Sequence, residues 1–404
     1  MHSENSSKFL ELSINIKIQL GRFGEFLKIK IIGLLLLFLI NANSIIPIVS
    51  QTTDTPLIGE AKNLDVDKMM FNPANNNIAF STAGDPNQIF IFTKFGEQLA
   101  PIQEQSGSIE VWSNIMTHDD SIVDLQYTRD GSYLISYSKD GVIKKWNGFA
   151  EYQTKKVNDT LSYEGGYTYM KIYQNKYIAV RTDDWNVKFN IYDLSTLNLV
   201  KKVDIPLDEF YHIKSFDWSN DGKKFYILGY GSDNRFSLRT IDIDTNQISD
   251  KVDLSDRSTT TAYYVQTSHN GSFLGVSTDF GLFLYKTSNM QQLHKFDADK
   301  KSLDFSSNNM VIAGTKNTKV YLWSLISYGL ITSFDTNMTY TPKILSYSVD
   351  GKALAVSDYF SIQFYNVADY LTSVPPAPTT PADLISFFIV ISILVTLKAK
   401  KRKI

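Results

Sequence analysis

The chain has 404 residues, of which 43% are hydrophobic and 13% aromatic, enough for a large buried core. It contains no cysteine, which excludes disulfides, thiolate metal sites and a thiol nucleophile. The net charge is −2, and because basic residues are concentrated near the ends, the middle is acidic and lacks the basic face that general nucleic-acid binding needs.

An apolar segment near the N-terminus predicts an export signal. Residues 31–40 are apolar apart from Gly33, basic residues precede them, and the short stretch 41–44 provides an Ala-x-Ser cleavage pattern. The apolar run is too short for an ordinary membrane-spanning helix. We therefore interpret residues 1–44 as a signal peptide with an overlong N-terminal region. The alternative is an uncleaved anchor, if Ile45 to Val49 extends the apolar run.

The stretch from His118 to Trp146 predicts three antiparallel strands. Apolar residues alternate with mostly polar ones over residues 122–127, which is typical of a strand with one apolar face. Asp130-Gly131 and Asp140-Gly141 are dipeptides that favour tight two-residue hairpin turns. Residues 133–138 and 142–146 are then the second and third strands of a meander.

This meander resembles a repeat of the WD-repeat family, in which each unit is one blade of a β-propeller. The resemblance implies a structural tetrad of hydrogen-bonded side chains, formed here by His118, Ser136, Asp140 and Trp146. A His/Ser/Asp trio could also suggest a hydrolase. The family, however, places these side chains inside the blade and away from any cleft.

Similar patterns of strands and turns recur through residues 51–373, which we assign to the propeller. The first turn of each repeat falls near Asn76, Gly131, Asn175, Gly222, Gly271, Asn309 and Gly351. We therefore predict an all-β fold, a seven-bladed β-propeller of four-stranded antiparallel blades, with six or eight blades as alternatives. The outer strand of the first blade is expected at Ile109 to Trp112. The last repeat lacks a fourth strand, and we expect the region Pro56-Leu57-Ile58 to supply it and close the ring.

The C-terminal segment predicts a membrane anchor. Residues 374–383 form a Pro/Thr-rich spacer, residues 384–397 carry no charge, and residues 398–404 contain five basic side chains. This order favours a transmembrane helix with a basic cytoplasmic tail and an extracytoplasmic propeller on a single-pass cell-membrane protein. It also resembles the C-terminal sorting signals of prokaryotic surface proteins, in which the helix is removed.

The candidate sites are few, and none is catalytic. The five histidines do not pair at metal-ligand spacing, so neither a metal nor a cofactor is expected. Asn158, Asn270 and Asn337 begin glycosylation tripeptides. Trp112, Trp185 and Tyr230 are candidates for a binding rim, because aromatic side chains at loop ends serve as anchors.

The favoured function is a non-catalytic scaffold at the cell surface that binds a protein or a glycan, with no nucleic-acid partner. Two alternatives remain open. A propeller enzyme such as a lactonase or glycan hydrolase would need clustered His, Asp or Glu side chains in the channel. A cytoplasm-facing membrane propeller, similar to a small-GTPase exchange factor, would need the opposite orientation in the membrane.

Overall fold

The structure is a computed structural model of the chain. The residues that it describes are 57–62, 66–82, 87–93, 116–157, 168–182, 188–205, 210, 212–231, 235–249, 251–254, 261–298 and 302–372.

The described residues form seven four-stranded antiparallel sheets, which are the blades of the predicted propeller. The chain begins with β1 (Leu57–Lys62). Blade 1 follows with β2 (Val66–Phe71), β3 (Ile78–Thr82), β4 (Gln88–Phe92) and β5 (Met116–Thr117). Blade 2 contains β6 (Ile122–Tyr127), β7 (Leu134–Ser138), β8 (Val142–Asn147) and β9 (Ala150–Lys156). Blade 3 contains β10 (Met170–Tyr173), β11 (Tyr177–Arg181), β12 (Lys188–Asp193) and β13 (Leu199–Asp204).

The second half of the ring repeats this order. Blade 4 contains β14 (His212–Trp218), β15 (Lys224–Tyr230), β16 (Phe236–Asp242) and β17 (Val252–Asp253). Blade 5 contains β18 (Ala262–Thr267), β19 (Phe273–Thr278), β20 (Gly281–Lys286) and β21 (Gln291–Phe296). Blade 6 contains β22 (Leu303–Phe305), β23 (Val311–Lys316), β24 (Lys319–Ser324) and β25 (Leu330–Asp335). Blade 7 contains β26 (Ile344–Tyr347), β27 (Ala353–Ser357) and β28 (Ser361–Asn366), and the short helix α1 (Ala368–Thr372) follows it.

Seven apolar clusters hold the ring together, and each lies between two consecutive blades. The cluster between the last and first blades, for example, joins Phe71 and Phe80 to Phe364. Because both faces of a blade are covered, the central strands β7 and β27 are buried along their whole length. Burial of one large apolar side chain stabilises a fold by about 1.5–3 kcal/mol. A cluster of this size therefore outweighs any single hydrogen bond between blades.

The ring closes through the strand that precedes blade 1, as the sequence predicts. β1 pairs antiparallel with β28, and Glu60 lies opposite Gln363, whose Nε2 donates to Glu60 Oε1 at 2.8 Å. Only Ala61 of β1 packs against the adjoining apolar cluster, and most of the strand is exposed. The closing strand is therefore held mainly by backbone hydrogen bonds.

The two faces of the ring differ. On one face, which we call the turn face, a tight turn joins the first and second strands of each blade. Gly131 lies in one such turn with φ +70°, and a Cβ there would lie 2.2 Å from Asn72 Oδ1 of blade 1. Asn72 Nδ2 donates to the Gly131 carbonyl at 3.1 Å, and the N–H of Asn270 donates to Asn309 Oδ1 at 2.9 Å. Turns of neighbouring blades thus interlock. We call the opposite face the mouth face.

Some expectations change or lie outside the described residues. The described fourth strand of blade 1 is Met116–Thr117, which pairs with β4, whereas residues 109–112, where the sequence predicts an outer strand, lie outside the described residues. The signal peptide (1–44), the spacer (374–383), the apolar helix (384–397) and the basic tail (398–404) lie outside the described part. Within the described part, no helix has both the length and the apolar character that a membrane crossing requires.

We predict that cysteines at Glu60 and Gln363 will form a disulfide under mild oxidation, because the two residues are paired and their side chains touch. The disulfide will raise the urea midpoint of unfolding, because it joins the two strands that close the ring covalently. The chain has no other cysteine. Gel mobility with and without reductant measures the fraction of the protein that has formed the disulfide. The matched control is Lys62→Cys with Gln363→Cys, which is two residues out of register. Equal crosslinking of both pairs would contradict the observed register.

Candidate functional site

A central channel runs between the blades and encloses a cavity of about 480 Å³. The first strand of every blade contributes to its wall, so the channel is a property of the whole ring. The wall combines lysine, aspartate, glutamine and serine side chains with methionine, leucine and tyrosine.

The first strand of a blade is an edge strand, since it pairs within its own sheet on one side only. Its other edge carries backbone N–H groups that need an acceptor, because a buried N–H without a partner costs about 1–3 kcal/mol. In this ring, side chains of the preceding blade supply acceptors at two positions along the strand, which we call the first level (nearer the mouth face) and the second level (nearer the turn face). These contacts fix the spacing of neighbouring blades around the channel.

Blades 2, 4 and 6 supply such acceptors to blades 3, 5 and 7, and Met70 Sδ of blade 1 accepts from the N–H of Tyr127 in blade 2 at 3.3 Å. At the first level, Asp124 accepts from Tyr169 and Met170 (2.9 and 3.0 Å), Ser215 from Val265 (3.2 Å) and Ser302 from Leu345 (2.6 Å). At the second level, Gln126 accepts from Ile172 (2.7 Å), Asp217 from Thr267 (2.8 Å) and Asp304 from Tyr347 (2.7 Å). Blades 2 and 3, 4 and 5, and 6 and 7 are thus each joined by two side-chain bridges.

The deep part of the channel holds charges that are already matched. Lys171 Nζ lies 3.8 Å from Asp217 and 3.4 Å from the Tyr264 hydroxyl. Burial alone would lower the pKa of Lys171, but Asp217, Tyr264 and Asp124 outweigh it, and the pKa is raised above its ordinary value. Burial raises the pKa of the Asp304 carboxyl, and His269 together with hydrogen bonds from Tyr347 and Gln266 offsets only part of this effect. These charged groups therefore stabilise the channel wall through their contacts with one another.

The mouth of the channel carries an exposed aromatic cluster, formed by Tyr340, Tyr359 and Phe360. Their exposed fractions are 48%, 39% and 53%. The Tyr340 ring centroid lies 6.2 Å from that of Tyr359 and 5.4 Å from that of Phe360. Tyr359 also lines the channel, and Lys343 Nζ lies 4.3 Å from its ring centroid. The cluster therefore continues into the cavity.

One buried carboxylate fixes the two loops that carry this cluster. Asp358 is only 2% exposed. Its Oδ1 accepts from the N–H groups of Phe360 and Ser361, both at 2.8 Å, and its Oδ2 accepts from the N–H of Tyr340 at 3.4 Å. The loop from blade 6 and the turn within blade 7 are thus joined at one point. The loop backbones that carry the three rings are therefore positioned in the free protein.

The structure brings three of the four tetrad residues together. Ser136 Oγ lies 2.7 Å from His118 Nε2 and accepts from Trp146 Nε1 at 2.8 Å. Asp140 instead accepts from the Ser138 hydroxyl and from the N–H of Val142, because its side chain folds over its own turn. Among the described residues, Nδ1 of His118 has no hydrogen-bond partner. Burial and the positive charge of Lys144 lower the pKa of His118 to about 3. The imidazole is therefore neutral at physiological pH.

The other sequence candidates are scattered. Trp112, Trp185 and Asn158 lie outside the described residues. Tyr230 ends β15 on the mouth face of blade 4, with its ring centroid 5.0 Å from that of His212. Asn270 lies in a tight turn on the turn face, whereas Asn337 is exposed in the loop that leads to blade 7. Glycosylation at these positions stays a prediction.

The sequence reasoning did not identify the aromatic cluster or the acceptors between blades. For the acceptors, a usable signal existed: Asp217 and Asp304 each stand two residues before a serine that opens the first turn. For the cluster there was none, since Tyr340 is distant in sequence from the Tyr359-Phe360 pair. Among the described residues, no group of three or more His, Asp or Glu is placed to hold a metal.

We predict that acidification from pH 7 to pH 5 will destabilise the protein through His118. The pKa of His118 is lower in the folded protein than in the unfolded chain. The contribution of His118 to the free energy of unfolding is therefore fully present above about pH 6.5, and it decreases at lower pH because the unfolded chain takes up the proton. The expected loss is about 2 kcal/mol at pH 5. His118→Gln will show a correspondingly smaller loss, since an amide does not titrate. Urea unfolding of both proteins at the two pH values measures this. An equal pH dependence would contradict the prediction.

Comparison with known proteins agrees with the observed fold. The family model "WD domain, G-beta repeat" matches residues 109–147. Protein HIR1 of Eremothecium gossypii is 25% identical over 172 residues, which are 40% of this chain and 20% of HIR1. The uncharacterized WD repeat-containing protein L84 of Acanthamoeba polyphaga mimivirus is 23% identical over 147 residues, 36% of this chain and 86% of that protein.

The fold is similar to that of a solved structure, the Cps50 (Swd1) β-propeller domain of Myceliophthora thermophila. The TM-score is 0.60 at 12% sequence identity, over 78% of this chain and 100% of that domain. At this identity the likeness concerns the fold alone. The matched residues include β6, β7 and β8 of blade 2, the blade with the assembled His118–Ser136–Trp146 contacts. This chain is a seven-bladed β-propeller in which residues 109–147 match a WD repeat.

Proposed function

We propose that the protein is a non-catalytic scaffold that binds a partner protein at the mouth face. The observation that carries this proposal is the cluster of Tyr340, Tyr359 and Phe360, which is exposed and yet fixed by Asp358. Aromatic side chains provide a large contact area with little loss of conformational entropy, and they dominate many protein interfaces. A cluster held in place in advance reduces that loss further.

Charged side chains lie beside this cluster. Where the first strands begin at the mouth, the cavity is lined by Asp67, Lys68, Lys214 and Lys343. Lys343 Nζ lies 3.8 Å from Asp67. We propose that the partner contacts the aromatic cluster mainly through apolar side chains, because aromatic anchors bind by burying apolar area.

We predict that the double substitution Tyr340→Ala with Phe360→Ala will weaken partner binding at least tenfold, because loss of buried aromatic anchors at an interface costs about 2 kcal/mol or more. Immobilised full-length protein and its variants would be used to recover partners, followed by quantitative mass spectrometry. Tyr152→Ala is the matched control, since Tyr152 is 55% exposed on the outer strand β9. A partner recovered equally by all variants would contradict the proposal. A partner lost after deglycosylation alone would favour glycan binding.

We further propose that the scaffold is held at the outer surface of the cell membrane. The support comes from the sequence: an apolar segment at residues 31–40, and an uncharged segment at residues 384–397 followed by basic residues. A Pro-rich spacer between the propeller and the second segment would hold the ring away from the lipid.

We predict that an enzymatic reporter fused after Ile404 will be active in the cytoplasm, because the basic tail favours that side of the membrane. In the same cells, protease added outside will reach the propeller. The matched comparison is the same reporter placed in a surface turn of the propeller, which should lack cytoplasmic activity. Exported activity of the C-terminal fusion would instead support a propeller that faces the cytoplasm.

A further inference from the structure

Both ends of the described chain leave the propeller on the same face. Leu57, at the start of β1, lies opposite Tyr365 at the end of β28. Helix α1 begins at Ala368, only a few residues later, and Tyr370 packs against the cluster between blades 6 and 7. At the other end of this strand pair, Lys62 lies opposite Ser361, next to the aromatic cluster.

The direction of the strands identifies that face. β27 runs from the turn at Gly351 to the mouth face, and β28 runs back from Ser361 to Asn366. Both Leu57 and α1 therefore lie at the turn face, where Val367 N–H donates to the Lys352 carbonyl at 2.8 Å. The mouth, with Tyr340, Tyr359 and Phe360, is at the opposite end of blade 7.

We infer that the propeller stands on the membrane with its turn face toward the lipid and presents its mouth outward to a partner protein. This inference rests on the proposed membrane attachment. It does not depend on which terminal segment is retained, because both ends of the described chain lie at the turn face. The turn face is thus the surface beside the bilayer, and the aromatic cluster points to the exterior.

The length of the spacer supports this orientation. In an extended polyproline conformation, the predicted spacer of residues 374–383 would span about 31 Å. The strands of blade 7 extend roughly 20 Å from face to face. With the turn face toward the lipid, the whole spacer is available to separate the ring from the bilayer. In the inverted orientation, much of it would be stretched along the edge of the blade, which costs conformational entropy.

The inverted orientation is a real rival, because aromatic side chains also favour the membrane interface. In that arrangement Tyr340, Tyr359 and Phe360 would insert among lipid headgroups and would not contact a protein. The lysines at the mouth could then face anionic lipids. The two orientations place opposite faces of blade 7 near the bilayer, so they differ in a distance that can be measured.

The absence of native cysteine makes the measurement direct. Single cysteines replace Lys352, exposed on the turn face, or Thr341, exposed beside the aromatic cluster; both positions lie within or next to blade 7. Each full-length variant is labelled with a fluorescent donor and reconstituted into phosphatidylcholine vesicles that carry acceptor-labelled lipid. We expect clearly higher energy transfer from Lys352→Cys than from Thr341→Cys, corresponding to a difference in height of roughly 20 Å.

Each other outcome has a defined meaning. Equal transfer, or higher transfer from Thr341→Cys, overturns the inferred orientation and leaves the attachment intact. Failure of either labelled protein to float with the vesicles overturns the attachment itself, and the orientation with it. Partner binding by the aromatic cluster is measured separately, so its failure is distinguishable from both. The same measurement with anionic vesicles shows whether lipid charge reverses the order of energy transfer from the two positions, which would overturn the inferred orientation at such a membrane.

Discussion

Apolar packing between consecutive blades is the interaction on which the rest of this structure depends. Each cluster is shared by two blades, so no blade can bury both of its faces alone, and the ring must close for the last cluster to form. Closure also places seven first strands around one axis, which creates the channel. The closing strand β1 adds backbone pairing to this arrangement but little apolar contact. The rigidity of the channel and its mouth therefore follows from packing of the blades.

Each sheet in the ring has an inner strand edge at the channel and an outer strand edge at the rim. Different side chains protect these two edges. At the inner edge, side chains such as Asp217 and Asp304 accept hydrogen bonds from the backbone of the next blade. At the outer edge, exposed charged residues such as those of β9, with Lys155 and Lys156, discourage pairing with other chains.

The functional asymmetry of the ring comes from its two faces. On the turn face, hydrogen bonds join the turns of neighbouring blades, and both ends of the described chain lie there. The mouth face carries an exposed aromatic cluster, fixed by the buried Asp358 and adjoined by the lysines of the channel. A surface of this kind can bind a partner without rearrangement, because its geometry is set by the fold. The proposed attachment at one face and the proposed recognition at the other would together make the protein a scaffold.

The sequence by itself determined the three inner strands of most blades, the seven repeats and closure of the ring by the region of Leu57 and Ile58, because strand alternation and tight turns depend on neighbouring residues. It also identified His118, Ser136 and Trp146 as partners through the family resemblance. Only the tertiary structure decided that Asp140 accepts hydrogen bonds within its own turn, since that choice depends on which donors the fold brings within reach of the carboxylate. It also decided that Tyr340 meets Phe360, because ring closure and Asp358 bring together two loops that no local pattern connects.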